Sequence, residues 1–162
     1  MIEDILFVNT IPLFLNLNRK IWFTMVHHLA DRKAKTIYTA FNEVYIHYRK
    51  RGFRIITLHT GGEFSTLQAM ITEQIPGGPT MNLTSSNNVL EIERRIRVVK
   101  ERSRCVIHSL PFNRIPRLLL THIVFSSVKM LNYFPKNEEY QLCTPPRISC
   151  TEIPCTIRDT WT

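Results

Sequence analysis

The chain has 162 residues, enough for one domain with a sizeable hydrophobic core and too few for two ordinary domains. Apolar residues make up 44% of it and charged residues 21%, a balance that excludes an intrinsically disordered protein. The formal net charge of +8 favours a polyanionic partner, nucleic acid first and an anionic membrane surface second.

The sequence shows no targeting or membrane-spanning segment. The apolar N-terminus carries Glu3 and Asp4 where a secretory signal would be basic. The longest apolar run, residues 118–131, contains His122 and Lys129 and is too short to cross a bilayer. We therefore expect a soluble intracellular protein.

The cysteines have no metal-binding or disulfide pattern. They include no CxxC pair, and no histidine lies near the three in the C-terminal part of the chain. Free thiols in a reducing compartment are the expectation. The four are Cys105, Cys143, Cys150 and Cys155.

Hydrophobic periodicity and turn residues predict five strands and four helices. The first helix is expected to be capped by Asp31, to bury Ile37, Phe41, Val44 and Tyr48, and to end before Gly52. In residue numbers, the predicted order is strands 2–8, 13–17 and 21–25, helix 31–51, strand 53–58, helix 64–74, strand 80–83, and helices 89–108 and 114–131.

Three early strands followed by alternating strands and helices predict an α/β fold with a mixed sheet flanked by helices. This is the order of elements in the ribonuclease H-like fold. Residues 1–135 are predicted to form this one core, and residues 136–162, rich in Pro, Thr and Cys, a loosely ordered tail.

The helix at residues 89–108 carries the most informative pattern. Its apolar positions follow helical spacing, and Glu93, Arg97, Lys100 and Arg104 recur at steps of four, three and four, which places them on one stripe. A carboxylate beside several cations suits phosphoryl-transfer chemistry on a nucleic acid. The alternative is a solvated face stabilised by pairs of charges one turn apart.

Periodicity alone does not identify which acidic residue of this helix would be the functional carboxylate, because Glu91 and Glu101 fit the pattern as well as Glu93 does. The six histidines show no HxxxH or HExxH spacing. Among them, only His59 falls near the expected site, either as a contact of the pocket or as a partly buried imidazole with ordinary hydrogen bonds.

Several short blocks, in the right order over residues 2–148, give the chain a resemblance to a known family. It resembles the integrase catalytic core of copia-type LTR retroelement polyproteins. The matching blocks are DILFVN (4–9), RGF (51–53), GEF (62–64), EIER (91–94), IR (96–97), KER (100–102), LPF (110–112), LN (131–132), FP (134–135) and PR (146–147).

The resemblance implies DNA integration by three carboxylates that hold two Mg²⁺ or Mn²⁺ ions ~3.5–4 Å apart. By position in the matched blocks, Asp4 is the first carboxylate and Glu93 the third, and both would be catalytic metal ligands. The second should precede the GEF block, where this chain has Gly61. Glu63 is a possible substitute, on the assumption that an extended segment gives it the same face as Gly61.

The resemblance also implies DNA as the partner, a possible homodimer, no membrane, and a nuclear location if the protein acts in integration. The DNA contacts are expected from Arg94, Arg97, Lys100 and Arg104. Because Gly61 supplies no ligand, and because Asn87, Asn88 and Leu90 also depart from the family's pattern, we expect an inactive, degenerate core.

We expect the chain to be a fragment without the family's flanking domains. Only three residues precede Asp4, which leaves no room for the family's upstream zinc-binding domain, and no basic DNA-binding domain follows the core. Three functions remain open: a polynucleotidyl transferase, a non-catalytic DNA-binding module, and a functionless remnant of a retrotransposon.

Overall fold

The computed structural model of the protein describes residues 1–75, 77–83, 89–112 and 114–133. The tail predicted at residues 136–162, with three of the four cysteines, lies outside the described residues. Within these ranges, no helix is both long and apolar enough to cross a membrane.

The centre of the fold is a five-stranded mixed sheet with the strand order β3-β2-β1-β4-β5. β1 pairs antiparallel with β2, β2 pairs antiparallel with β3, and β4 and β5 continue the sheet in parallel with β1. The strands are β1 (Ile2–Val8), β2 (Ile11–Asn18), β3 (Phe23–His28), β4 (Thr57–Thr60) and β5 (Thr80–Leu83).

Four α-helices of the described residues flank this sheet, so the predicted α/β class and its mixed sheet are confirmed. A single 3-10 turn at Gly62–Phe64 directly precedes the second of these helices. The helices are α1 (Ala34–Lys50), α2 (Ser65–Gln74), α3 (Val89–Ser109) and α4 (Arg117–Tyr133).

The sheet separates two hydrophobic cores, since alternate residues of a strand point to opposite sides. The α1 face of the sheet carries Ile5 and Phe14, which are buried in one cluster with residues of α1 and α2. The α3 face carries Ile2 and Leu6, buried in the other cluster with residues of α3 and α4. The four apolar residues predicted to face the core from α1 are all buried.

Two predicted strands are displaced along the chain. The strand predicted at 21–25 is observed at Phe23–His28, because the residues before it form the turn from β2, in which Trp22 has a φ of 50°. The strand predicted at 53–58 is observed at Thr57–Thr60. Phe53 and Ile55 are packed against the core without belonging to a strand.

Two helix starts also differ from prediction. Asp31 does not cap α1, whose N-cap is Lys33, because the Asp31 carboxylate accepts the Lys33 N–H two residues on and closes a local turn instead. α4 starts at Arg117, later than predicted, and Pro116 precedes it. Proline disfavours helical geometry in the residue before it, which explains the later start.

Candidate functional site in a cavity between β1 and α3

Asp4 is placed by the alternation of β1. It lies between Ile2 and Leu6, which are buried in the core on the α3 face, and so it points to that side of the sheet. Its side chain is partly exposed, and its Oδ1 accepts the N–H of Ile5 at 2.7 Å. A carboxylate is therefore held at the strand surface beneath α3.

The apolar side of α3 packs on the sheet, and this places the neighbouring charged side of the helix near the Asp4 carboxylate. Ile92 and Val99 are buried against the sheet. Between β1 and the charged side lies an open cavity of about 390 Å³, which we call the β1–α3 cavity. Its charged lining residues are Asp4, Glu93, Arg97, Lys100, Glu101 and Arg104.

The structure thus brings together most of the residues that the sequence analysis singled out. Asp4 and Glu93 line the same cavity, as do all three cations of the stripe. Arg94 is exposed on α3 and is not among the residues that line it. Glu101 also lines the cavity, two helical turns or about 12 Å along the axis from Glu93.

Gly61 directly follows β4. The parallel ladder pairs Ile2 with His59 and Glu3 with Thr60, and Gly61 is two residues beyond His59, so with its extended backbone it faces the side of the sheet that carries Ile2 and Asp4. Gly61 has extended backbone angles, φ −68° and ψ 166°, just before the 3-10 turn. A Cβ at Gly61 would meet no atom within 4 Å, so the position has room for a side chain that it does not carry.

Glu63 was named as a possible substitute for the missing carboxylate on the assumption of an extended segment, and the segment is not extended. Glu63 belongs to the 3-10 turn Gly62–Phe64, where side chains do not alternate between two faces. Its side chain lies outside the described part of the structure. The backbone therefore does not support the argument that placed Glu63 on the same face as Gly61.

The donor set is poorer than a two-metal centre needs. Among the described residues, no three His, Cys, Asp or Glu side chains come close enough together to hold a metal ion. Of the positions matched to the family's carboxylates, Asp4 and Glu93 supply carboxylates to the cavity and Gly61 supplies none. The remaining carboxylate of the lining, Glu101, is about 12 Å along α3 from Glu93. The residues present do not match the three-carboxylate set implied by the resemblance.

Two side-chain contacts, one on either side of Glu93, connect the first turns of α3 with β3 and with the turn between β2 and β3. The Arg19 Nε lies 2.6 Å from the Glu91 carboxylate. Arg95 donates from Nε to the Thr24 hydroxyl at 2.7 Å. Glu91, which periodicity alone did not distinguish from Glu93, is thus an ion-pair partner, a role that no local pattern could reveal.

His59 is on the same side of the sheet as Asp4 but is not among the residues that line the cavity. Burial lowers the pKa of its imidazole, and the nearby Arg19 lowers it further. His59 is therefore better described as a partly buried imidazole than as a contact of the pocket.

Comparison with known proteins identifies the fold. No protein-family model matches the chain, and no curated protein is significantly similar to it in sequence. Among solved structures, it is similar to the catalytic core domain of BIV integrase, with a TM-score of 0.54 and 9% sequence identity. The match covers 81% of this chain and 78% of that one. The predicted ribonuclease H-like fold is confirmed, in the form found in an integrase catalytic core.

Proposed function

We propose that this protein is a degenerate integrase core of a copia-type LTR retroelement that binds DNA and does not catalyse integration. The observation that carries the proposal is the composition of the β1–α3 cavity. Asp4 and Glu93, which come from distant parts of the sequence, line it together with the cationic stripe of α3. The integrase-core fold supports the same conclusion.

Binding to DNA is supported by the state of the cations. Within the described ranges, the side chains of Arg97, Lys100 and Arg104 make no hydrogen bond or ion pair to the protein. Arg97 and Arg104 are exposed and Lys100 is half-buried. Cations in this state are free to neutralise phosphates, which supplies the sequence-independent part of DNA affinity.

Loss of catalysis is supported by Gly61. Two divalent ions repel each other strongly at the short separation that phosphoryl transfer uses, and bridging carboxylates offset this repulsion. Asp4 and Glu93 could each supply a ligand to Mg²⁺ or Mn²⁺, but Gly61, at the position of the second carboxylate, has no side chain. We propose that metal binding is weakened and that the chemical step is lost.

Fluorescence anisotropy with a labelled duplex of mixed sequence tests DNA binding. Each phosphate neutralised should contribute roughly −0.9 to the slope of log affinity against log salt. The triple variant Arg97→Ala, Lys100→Ala, Arg104→Ala should bind more weakly, with a shallower slope. A matched control removes three exposed cations from the opposite side of the sheet, with Lys35, Arg49 and Lys50 each changed to Ala.

The control separates a local site from general charge attraction. We expect it to lose less affinity than the cavity variant does, although both lose three positive charges. Equal losses would mean that the cationic stripe is only one part of a diffuse positive surface. Affinity that does not change with salt, or no binding at all, would contradict the proposal and favour a functionless remnant.

A further inference from the structure

The charged groups that line the β1–α3 cavity are balanced in number. Three carboxylates, on Asp4, Glu93 and Glu101, face three cations, on Arg97, Lys100 and Arg104. A formal count gives zero net charge for this lining. A phosphodiester that enters the cavity therefore meets no excess of negative charge.

An aspartate at position 61 would change this balance. Gly61 is two residues beyond His59 in extended backbone, so a side chain there would point to the side of His59, which is also the side of Ile2 and Asp4. Gly61 is not itself among the lining residues, but together with the charged lining this side of the sheet would then carry four carboxylates against three cations. A phosphodiester would then be repelled unless divalent cations accompanied it, which is one role of the metals in phosphoryl-transfer sites.

We propose that the absence of a carboxylate at Gly61 makes this cavity a metal-independent site for the phosphodiester backbone of DNA. Arg97 and Lys100 provide the charge that the divalent ions would otherwise supply. The space at Gly61, where a Cβ would meet nothing within 4 Å, leaves room for phosphate oxygens on the side of the sheet that carries Asp4. This inference rests on the proposed function and adds that binding requires no metal.

The experiment compares DNA affinity in EDTA and in Mn²⁺ at matched ionic strength, for the unmodified chain and for Gly61→Asp. The φ of −68° at Gly61 suits any residue, and thermal melting verifies that the variant folds. Gly62→Asp is the matched control, since it adds the same charge one residue further on, also where a Cβ meets nothing within 4 Å.

The unmodified chain should bind equally well in EDTA and in Mn²⁺. Gly61→Asp should bind about tenfold more weakly in EDTA, as expected for one added charge a few ångströms from the phosphate. Mn²⁺ should restore its affinity but should not rescue Gly62→Asp to the same extent.

Three results would overturn the inference. The first is loss of DNA binding by the unmodified chain in EDTA. The second is a Gly61→Asp variant that binds as tightly as the unmodified chain without metal, and the third is equal rescue of the two aspartate variants. Absence of DNA binding under every condition would instead refute the proposed function, and with it this inference.

Discussion

Glu3 and Asp4 are neighbours on β1 that face opposite sides of the sheet. Asp4 lines the β1–α3 cavity, whereas Glu3 is only 1% exposed and lies on the α1 face. Glu3 is paired across the sheet with Asn16 on β2 and with Thr60 on β4. Neither carboxylate oxygen of Glu3 has a hydrogen-bond partner among the described residues. Burial raises the pKa of Glu3 to about 8.

This pKa predicts that the protein loses stability as the pH rises. In the unfolded chain Glu3 ionises near pH 4.5, whereas in the folded protein it stays protonated up to about pH 8. The contribution of Glu3 to folding is therefore fully present below pH 4.5 and is lost as the pH rises to about 8. Glu3→Gln should remove this dependence and stabilise the protein above pH 8 by up to roughly 5 kcal/mol, since about 1.4 kcal/mol is lost for each pH unit between 4.5 and 8.

Urea denaturation over this pH range measures the effect of Glu3→Gln. Glu73→Gln, at an exposed position on α2, is the control and should leave the pH profile unchanged. If Glu3→Gln keeps the alkaline loss of the unmodified protein, Glu3 is ionised in the folded state and the prediction is wrong.

A second prediction concerns acid. Burial, reinforced by the nearby Arg51, lowers the pKa of His47 to about 4. Because the unfolded chain takes up this proton near pH 6.5 and the folded protein does so only near pH 4, stability should fall as the pH falls through this interval. His47→Gln should flatten the thermal-melting profile there, and the exposed His108→Gln should not.

Arg94 and Arg95 are adjacent on α3 and are expected to have different roles. Arg95 donates to the Thr24 hydroxyl and to the Trp22 carbonyl, so Arg95→Ala should lower the free energy of unfolding by about 2 kcal/mol. Arg94 is exposed, and Arg94→Ala should change stability by less than about 0.5 kcal/mol. Chemical denaturation distinguishes them, and similar losses in both variants would contradict the assignment.

Prediction from the sequence was most accurate for features that depend on the residue pattern of one helix or strand alone. The 3.6-residue period of α3 identified the buried Ile92 and Val99 as well as the stripe that faces the cavity. Prediction was less accurate where the bounds of a strand depend on its pairing with another strand. β4 is defined by its pairing with β5 on one side and with Ile2 and Glu3 on the other, and the apolar residues before it gave a local signal that did not locate these pairings.

The burial of Glu3 and the ion pair of Glu91 were missed for the same physical reason. In the sequence, Glu3 and Asp4 look alike as polar residues at the start of an apolar strand. Which of the two is buried depends on how the helices pack on each face of the sheet, which the strand's own sequence does not show. Similarly, Glu91 and Arg19 are 72 residues apart in sequence, and no spacing rule connects them. The role of Asp4 was inferred from family resemblance, since periodicity did not single it out.

Restoring the missing carboxylate should restore affinity for metal. Gly61→Asp has steric room and would add a carboxylate on the side of the sheet that carries Asp4. Calorimetry without DNA should show tighter Mn²⁺ binding by this variant than by the unmodified chain, because a third anionic ligand offsets the repulsion between cations. Asp4→Asn in the Gly61→Asp background should abolish the gain. A gain that survives this change would place the ion elsewhere.

The last prediction is that the unmodified chain neither processes nor joins DNA ends. Asp4 and Glu93 alone leave the attacking oxygen poorly activated, since one ligand of the two-metal arrangement is missing at Gly61. A gel assay with labelled DNA ends and Mn²⁺ should detect no cleaved or joined product above that of an Asp4→Asn, Glu93→Gln control. Product that depends on metal and disappears in Asp4→Asn would refute this prediction. Glu63→Gln would then be the next variant to assay, because Glu63 is the acidic residue nearest to Gly61 in sequence.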